Sequence, residues 1–116
     1  MHVSVGICCY NEEKNVDMLL DNLLMSQSLP LNSEVIVVCS GCTDRTPEVV
    51  KKFSEKDERV RLIVEPTRNG KASALNKILS SFKGDIFVHL DADLIPSSQA
   101  IEAILKRLDD PTVGAV

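Results

Sequence analysis

The sequence lacks any apolar run able to cross a bilayer: its longest uncharged apolar stretch, Val35 to Cys42, falls far short of the roughly 20 residues a spanning helix needs. No basic-then-apolar leader follows Met1, so a cytoplasmic location is expected, with the full-length protein open to association with the cytoplasmic face of a membrane. Basic surplus is missing too. Thirteen Lys and Arg stand against 17 Asp and Glu, a net charge of -4, and this removes the electrostatic case for nucleic-acid binding. No linker, low-complexity tract or charge block divides the chain.

What is present fits one globular unit. The 116 residues suffice for a single core, so residues 1–116 are expected to form one domain, and 44% hydrophobic with 26% charged residues argues against disorder. Val3 to Cys9 is a β-branched apolar run that reads as a strand, followed by a polar turn at Asn11-Glu-Glu-Lys14. From Val16, Leu19, Leu20, Leu23 and Leu24 recur at helical spacing, with Asn11 and two glutamates as an acid-rich helix start.

The cycle then repeats. Glu34 to Val38 is an apolar strand without alternation, hence buried on both faces; Thr46-Pro-Glu48 opens a helix with Val49, Val50 and Phe53 on its apolar stripe. Arg61 to Glu65 is a third strand, and Asn69-Gly70 turns into a helix carrying Leu75, Ile78, Leu79 and Phe82, ended by Gly84. Asp85 to Leu90 is a fourth strand. Pro96-Ser-Ser98 opens a fourth helix with Ile101, Ile104, Leu105 and Leu108, and Val113 to Val116 starts a fifth strand. Strands alternating with helices predict an α/β fold, a doubly wound, mainly parallel sheet truncated in its fifth strand.

In such a sheet ligands bind beyond the carboxyl ends of the strands. The connections there are Cys8 to Asn11, Cys39 to Asp44, Pro66 to Lys71 and Asp91 to Asp93, all carrying residues that core packing does not require. Asp91 and Asp93 stand at i and i+2, so continued strand geometry would project both to one side. Two like charges there cost free energy unless a cation joins them. Mg²⁺ or Mn²⁺ takes such oxygen ligands, commonly one or two carboxylates plus substrate phosphates. The alternative is a solvated turn with an aspartate capping a helix at Pro96.

Lys71 leads a helix after Asn69-Gly70, so backbone N–H groups, the helix dipole and one ammonium would face a phosphate. A P-loop is excluded: its first glycine would fall at Glu65, and Ala72 stands where Ser or Thr must bind the metal. The four cysteines, Cys8, Cys9, Cys39 and Cys42, leave two readings, a zinc or disulfide site and small apolar packing. The vicinal Cys8-Cys9 pair fits the zinc pattern poorly, because successive strand residues face opposite sides.

Four ordered segments resemble glycosyltransferase family 2, specifically the N-terminal, nucleotide-sugar-binding half of its GT-A fold, along the whole chain. Val3-Ser-Val-Gly-Ile-Cys-Cys-Tyr-Asn-Glu-Glu13 resembles the opening strand and its Tyr-Asn-Glu-Glu turn, and Glu34 to Asp44 the second strand with its Gly-Ser-Thr-Asp loop. Arg68-Asn-Gly-Lys-Ala-Ser-Ala-Leu-Asn76 is similar to the Gly-Lys-Ala-x-Ala-Leu-Asn segment, and Asp91-Ala-Asp93 stands at the Asp-x-Asp.

The resemblance implies metal-dependent transfer of a sugar from a nucleotide diphosphate sugar to an unknown acceptor, with inversion. It implies nucleotide contacts at Tyr10, Asn11, Glu12, Cys39, Lys71 and Asp91, and Mn²⁺ or Mg²⁺ at Asp93 and Asp91. The sequence departs from the family at Cys39-Ser40, where Asp-Asp is common and helps hold the base. The acceptor site and general base belong to the half that follows the Asp-x-Asp, so no catalytic residue is assigned and the chain alone is expected to bind without turnover. An incomplete sheet is also expected to self-associate. The alternative function is a stand-alone nucleotide-sugar-binding module. A sugar nucleotidyltransferase would need a Gly- and Arg-rich loop after the first strand, which Cys8-Cys9-Tyr10-Asn11 lacks.

Overall fold

The first four apolar runs of the sequence become strands and the four amphipathic segments helices in the computed structural model, which describes residues 2–26, 29, 32–94, 96 and 99–108. The order is β1 (Val3–Cys9), α1 (Glu13–Asp21), β2 (Glu34–Ser40), α2 (Thr46–Lys56), β3 (Val60–Glu65), α3 (Lys71–Ser81), β4 (Ile86–Asp91) and α4 (Ala100–Leu108). The strands form one parallel sheet in the order β3-β2-β1-β4. The chain therefore runs outward from β1 through β3 and then crosses back to place β4 on the other side of β1. The reversal creates a switch point between β1 and β4 at the carboxyl ends of the strands, where such sheets open a crevice.

Alternation along the strands sorts the core into two layers. Val3, Val5, Ile7 and Cys9 of β1 and Val35, Val37 and Cys39 of β2 pack against Val16, Leu19, Leu20 and Leu23, with Val50 of α2 and Ile101 of α4 on the same side. Ile36 and Val38 face the opposite way onto Ala74 and Ile78 of α3. Both faces of β2 are thus covered, which explains its unbroken apolar sequence. No helix among the described residues is long and apolar enough to cross a membrane.

Several boundaries differ from the sequence expectation, each for a local reason. α1 continues into a wide π-helical turn, Asn22–Ser26, which apolar spacing does not distinguish from α-helix. α3 stops at Ser81, with Phe82 already extended, so Gly84 does not end it. The glycine serves a close approach instead: a Cβ at Gly84 would lie 2.5 Å from the Ser4 hydroxyl and 2.9 Å from the Ser4 backbone nitrogen. Phe82 leaves the helix to pack on Phe87 of β4, with ring centroids 5.3 Å apart. α4 starts at Ala100, later than Pro96, while Ser97 and Ser98 lie outside the described residues. The expected fifth strand at Val113 to Val116 lies outside them as well.

A cleft at the carboxyl edge of the sheet

The loops after β1 and β2 are tied to each other before they are tied to anything else. Asn11 adopts a left-handed backbone, φ 52°, and its side-chain oxygen accepts the N–H groups of Thr43 at 2.8 Å and Asp44 at 3.3 Å. Its amide nitrogen donates to the Thr43 hydroxyl at 3.1 Å. Asn11 therefore does not cap α1, as its position before two glutamates suggested. The cap comes from the other loop: the Thr46 hydroxyl accepts the Glu12 N–H at 2.9 Å and Asp44 accepts the Glu13 N–H at 3.4 Å. Asp44 also accepts the Thr46 N–H at 3.0 Å. Burial opposes its ionisation, yet the Thr46 and Glu13 bonds outweigh this and hold its pKa below the usual aspartate value.

Above these loops, between β1 and β4, lies a cleft of about 340 Å³ lined by residues of all four strand ends, among them Tyr10, Glu12, Ser40, Arg68, Lys71, Asp91 and Asp93. That volume is within the range of small-molecule sites, roughly 300 to 1,000 Å³. Five of the side chains expected at the site therefore share one cavity: Tyr10, Glu12, Lys71, Asp91 and Asp93. Asn11 serves the loop clamp described above and is not part of the lining.

Cys39 lies outside the lining too, fully buried in the core opposite Cys9 in the β1–β2 register, while its neighbour Ser40 faces the cleft. The strand runs two residues further than Val38, so alternation sends Cys39 inward and Ser40 outward. All four cysteines are free thiols. Cys9 and Cys39 are buried in the layer against which Cys42 packs, whereas Cys8 packs on the α3 layer; Cys8 and Cys9 both contribute to the cleft lining. Among the described residues no three His, Cys, Asp or Glu side chains are arranged to hold a metal ion.

The two aspartates reach the cleft by a different route from continued strand alternation. β4 ends at Asp91, and Ala92 and Asp93 form a turn closed by the Leu94 N–H on the Asp91 carbonyl at 3.1 Å. The turn buries Ala92 and leaves both carboxylates at the rim. Neither aspartate caps α4, whose first residue is Ala100.

Lys71 Nζ lies 2.6 Å from Asp91 Oδ1, with both side chains more than half exposed. Lys71 lowers the Asp91 pKa through this bond and its charge, and Asp91 raises that of Lys71 in return. Solvent screens an exposed pair of this kind and leaves it weak, so the lysine is exchangeable for another cation. Two carboxylates suit a Mg²⁺ or Mn²⁺ ion that draws its remaining oxygens from water and a diphosphate. α3 opens onto the same cleft at Gly70 and Lys71, and no side chain caps its N-terminus.

Sequence reading missed three contributors, Ser40, Arg68 and Glu65. Arg68 stacks over the Tyr10 ring, 3.9 Å from the centroid. Glu65, only 1% exposed, closes β3 and gathers Lys77 Nζ at 3.1 Å, the Ser73 hydroxyl at 3.2 Å and the Asn69 amide at 3.3 Å on one oxygen. The signal for Glu65 was visible as a charge ending an apolar strand, but its partners in α3 were not.

Gly41 joins the second and third loops. Its φ is +59°, and a Cβ would fall 2.4 Å from the Arg68 backbone nitrogen. Gly41→Ala is expected to cost about 2 kcal/mol, combining left-handed strain with displacement of the Arg68 backbone, as read from the urea midpoint. A midpoint within error of wild type would show that the loop yields freely.

The sequence profile described as Glycosyl transferase family 2 matches residues 4–116. Glycosyltransferase AglE of Haloferax volcanii is 35% identical over 115 residues, covering 98% of this chain and 38% of the relative. Among solved structures, mannosyltransferase PcManGT from Pyrobaculum calidifontis, in complex with GDP-Man and Mn²⁺, superposes with a TM-score of 0.87 at 39% identity, over 97% of this chain and 33% of that one. TarS residues 1–349 of S. aureus with UDP-GlcNAc superposes with a TM-score of 0.83 at 28% identity, over 95% and 32%. The chain thus spans well under half the length of these proteins.

Proposed function

The chain belongs to glycosyltransferase family 2, and from that premise we propose that it is the donor-binding half of an enzyme that transfers a sugar from a nucleoside diphosphate sugar to an acceptor, with inversion and with a divalent metal. The observation that carries the reading is the meeting in one cleft of an aromatic face, the Lys71 ammonium, an uncapped helix N-terminus and two carboxylates. Each answers a different part of a nucleoside diphosphate.

Tyr10, 40% exposed, offers a flat apolar surface to a base. The N–H groups at the start of α3 and the Lys71 ammonium face negative charge and suit the diphosphate. Lys71 would exchange its Asp91 partner for a phosphate oxygen, leaving Asp91 and Asp93 as the carboxylates that would hold a Mn²⁺ or Mg²⁺ ion. Bound there, the ion would act as a Lewis acid for the departing diphosphate. Asp-x-Asp thereby has a physical purpose: a divalent cation would offset the charge of Asp93 and of the Asp91 that Lys71 releases to the donor.

Asp91 and Asp93 would be taken up by the metal and Glu12 accepts the Asn15 amide at 2.7 Å, so no general base is assigned in the cleft and turnover is attributed to residues elsewhere. Calorimetry with UDP, GDP and ADP, each with and without Mn²⁺, tests this. Binding of at least one nucleotide, strengthened tenfold or more by Mn²⁺, is expected. Equal affinity with and without the ion would refute the metal–diphosphate reading. A stand-alone binding module would give the same titrations, but the natural reading frame would then stop at Val116.

A further inference from the structure

Arg68 is the one cleft cation that neither the motif reading nor the metal–diphosphate reading uses. Its backbone is fixed on two sides. Gly41, with no side chain, lets the Arg68 main chain pass where a Cβ would lie 2.4 Å from its nitrogen. The next residue, Asn69, donates its N–H to the Ser40 hydroxyl at 3.4 Å and its amide to buried Glu65 at 3.3 Å. The side chain, by contrast, is exposed and rests on the Tyr10 ring with its guanidinium carbon 3.9 Å from the centroid.

That spacing excludes a base from between them. A planar ring sandwiched there would need contact distances of about 3.5 to 4.0 Å on each side, roughly twice the gap available. On this face of Tyr10, base and guanidinium are alternatives. A stack at an exposed site is weak and readily exchanged. A pinned backbone under an exposed, permanently charged side chain makes Arg68 an arm with a fixed pivot, beside the start of α3. The planar fork of arginine matches phosphate oxygens in a two-point fashion that lysine does not.

We propose that Arg68 is a donor-binding residue that contends with the nucleobase for the face of Tyr10 and, when the base takes that face, transfers its guanidinium to the diphosphate. The assignment rests on the donor-site reading above. It couples base and phosphate recognition: the base gains the aromatic surface only as the arginine leaves it, and the arginine leaves readily only when a diphosphate receives it. A nucleoside without phosphates must displace the guanidinium with nothing to compensate.

The test is the sign of two effects. Tyr10 is the only tyrosine and the chain has no tryptophan, so its fluorescence reports on this ring alone. Wild type, Arg68→Ala and Arg68→Lys are titrated with uridine, UDP, guanosine and GDP in Mn²⁺, by fluorescence and calorimetry. Arg68→Ala is expected to bind the preferred nucleoside as tightly as wild type or several-fold tighter, and its diphosphate at least tenfold more weakly; Arg68→Lys is expected to recover only part of the diphosphate affinity. Equal losses for nucleoside and diphosphate would overturn the contention for the ring, and unchanged affinities for both would remove Arg68 from the site. A wild-type chain that binds none of the four ligands, nor adenosine or ADP, would overturn the donor-site reading, and the Arg68 assignment with it.

Discussion

Glu65→Ala is expected to lower the unfolding free energy by about 3 kcal/mol, because it strips a buried carboxylate from three donors at once. The side chain is fully buried, while Lys77, its charged partner, is 46% exposed and can return to water. The cost therefore sits at the low end for a broken buried pair, and most of it falls on the vacated space and the half-buried Ser73 hydroxyl, since exposed Asn69 can also turn to water. The charge itself is testable through pH. Burial pushes the Glu65 pKa up, but hydrogen bonds led by Lys77 and Asn69 prevail and leave it below the ordinary value of 4.5.

A depressed carboxylate contributes stability that is present above its unfolded pKa and lost as pH falls through the folded one. Wild type should thus weaken progressively below about pH 4.5, and Glu65→Gln should show a shallower decline over that range. Urea unfolding of the three proteins between pH 3 and pH 7 measures both effects, with the pH limits chosen to span roughly the ordinary carboxylate range. If Glu65→Gln keeps the full acid dependence, the ionised form is not what holds the β3–α3 loop.

Asp93→Ala is expected to reduce nucleoside diphosphate affinity in Mn²⁺ about a hundredfold, equivalent to about 2.7 kcal/mol, down to the metal-free level. Asp93 is exposed at the turn after β4 and contributes to the cleft lining, so its loss should move stability by no more than about 0.5 kcal/mol. The two readouts separate binding from folding. With one carboxylate gone, Asp91 alone must hold the ion, and Asp91 is also the anchor of Lys71 at 2.6 Å. The lysine then has no competitor for Asp91 and stays there, so the variant should lose metal and phosphate recognition together. Retention of full Mn²⁺-dependent binding in Asp93→Ala would place the ion elsewhere.

Element order was legible because each strand and helix carries its own periodic signal. Val35 to Val38 without alternation announced a strand covered on both faces, and α3 does cover the second. Boundaries were less legible where they depend on partners distant in sequence. Gly84 looks like a helix stop until Ser4, 80 residues away, is seen to occupy the space its side chain would need. Asn11 looks like a cap until Thr43 and Asp44 claim its side chain.

In the cleft, strand-end position was enough to point to Tyr10, Lys71, Asp91 and Asp93, while Glu12 came only from the family resemblance. Cys39 and Ser40 could not be separated that way, since a period of two shows that neighbours face opposite sides and leaves open which side each takes.

The sequence by itself determined the alternation of strands and helices, the family, and the four loops that carry polar residues, because these follow from local pattern and ordered motifs. The tertiary structure decided which side chains meet. The parallel register of β1 with β2 sends Cys39 into the core, and the return of β4 to the far side of β1 brings Asp91 within reach of Lys71. Such pairings are fixed by packing between segments far apart along the chain, for which no single segment carries a signal.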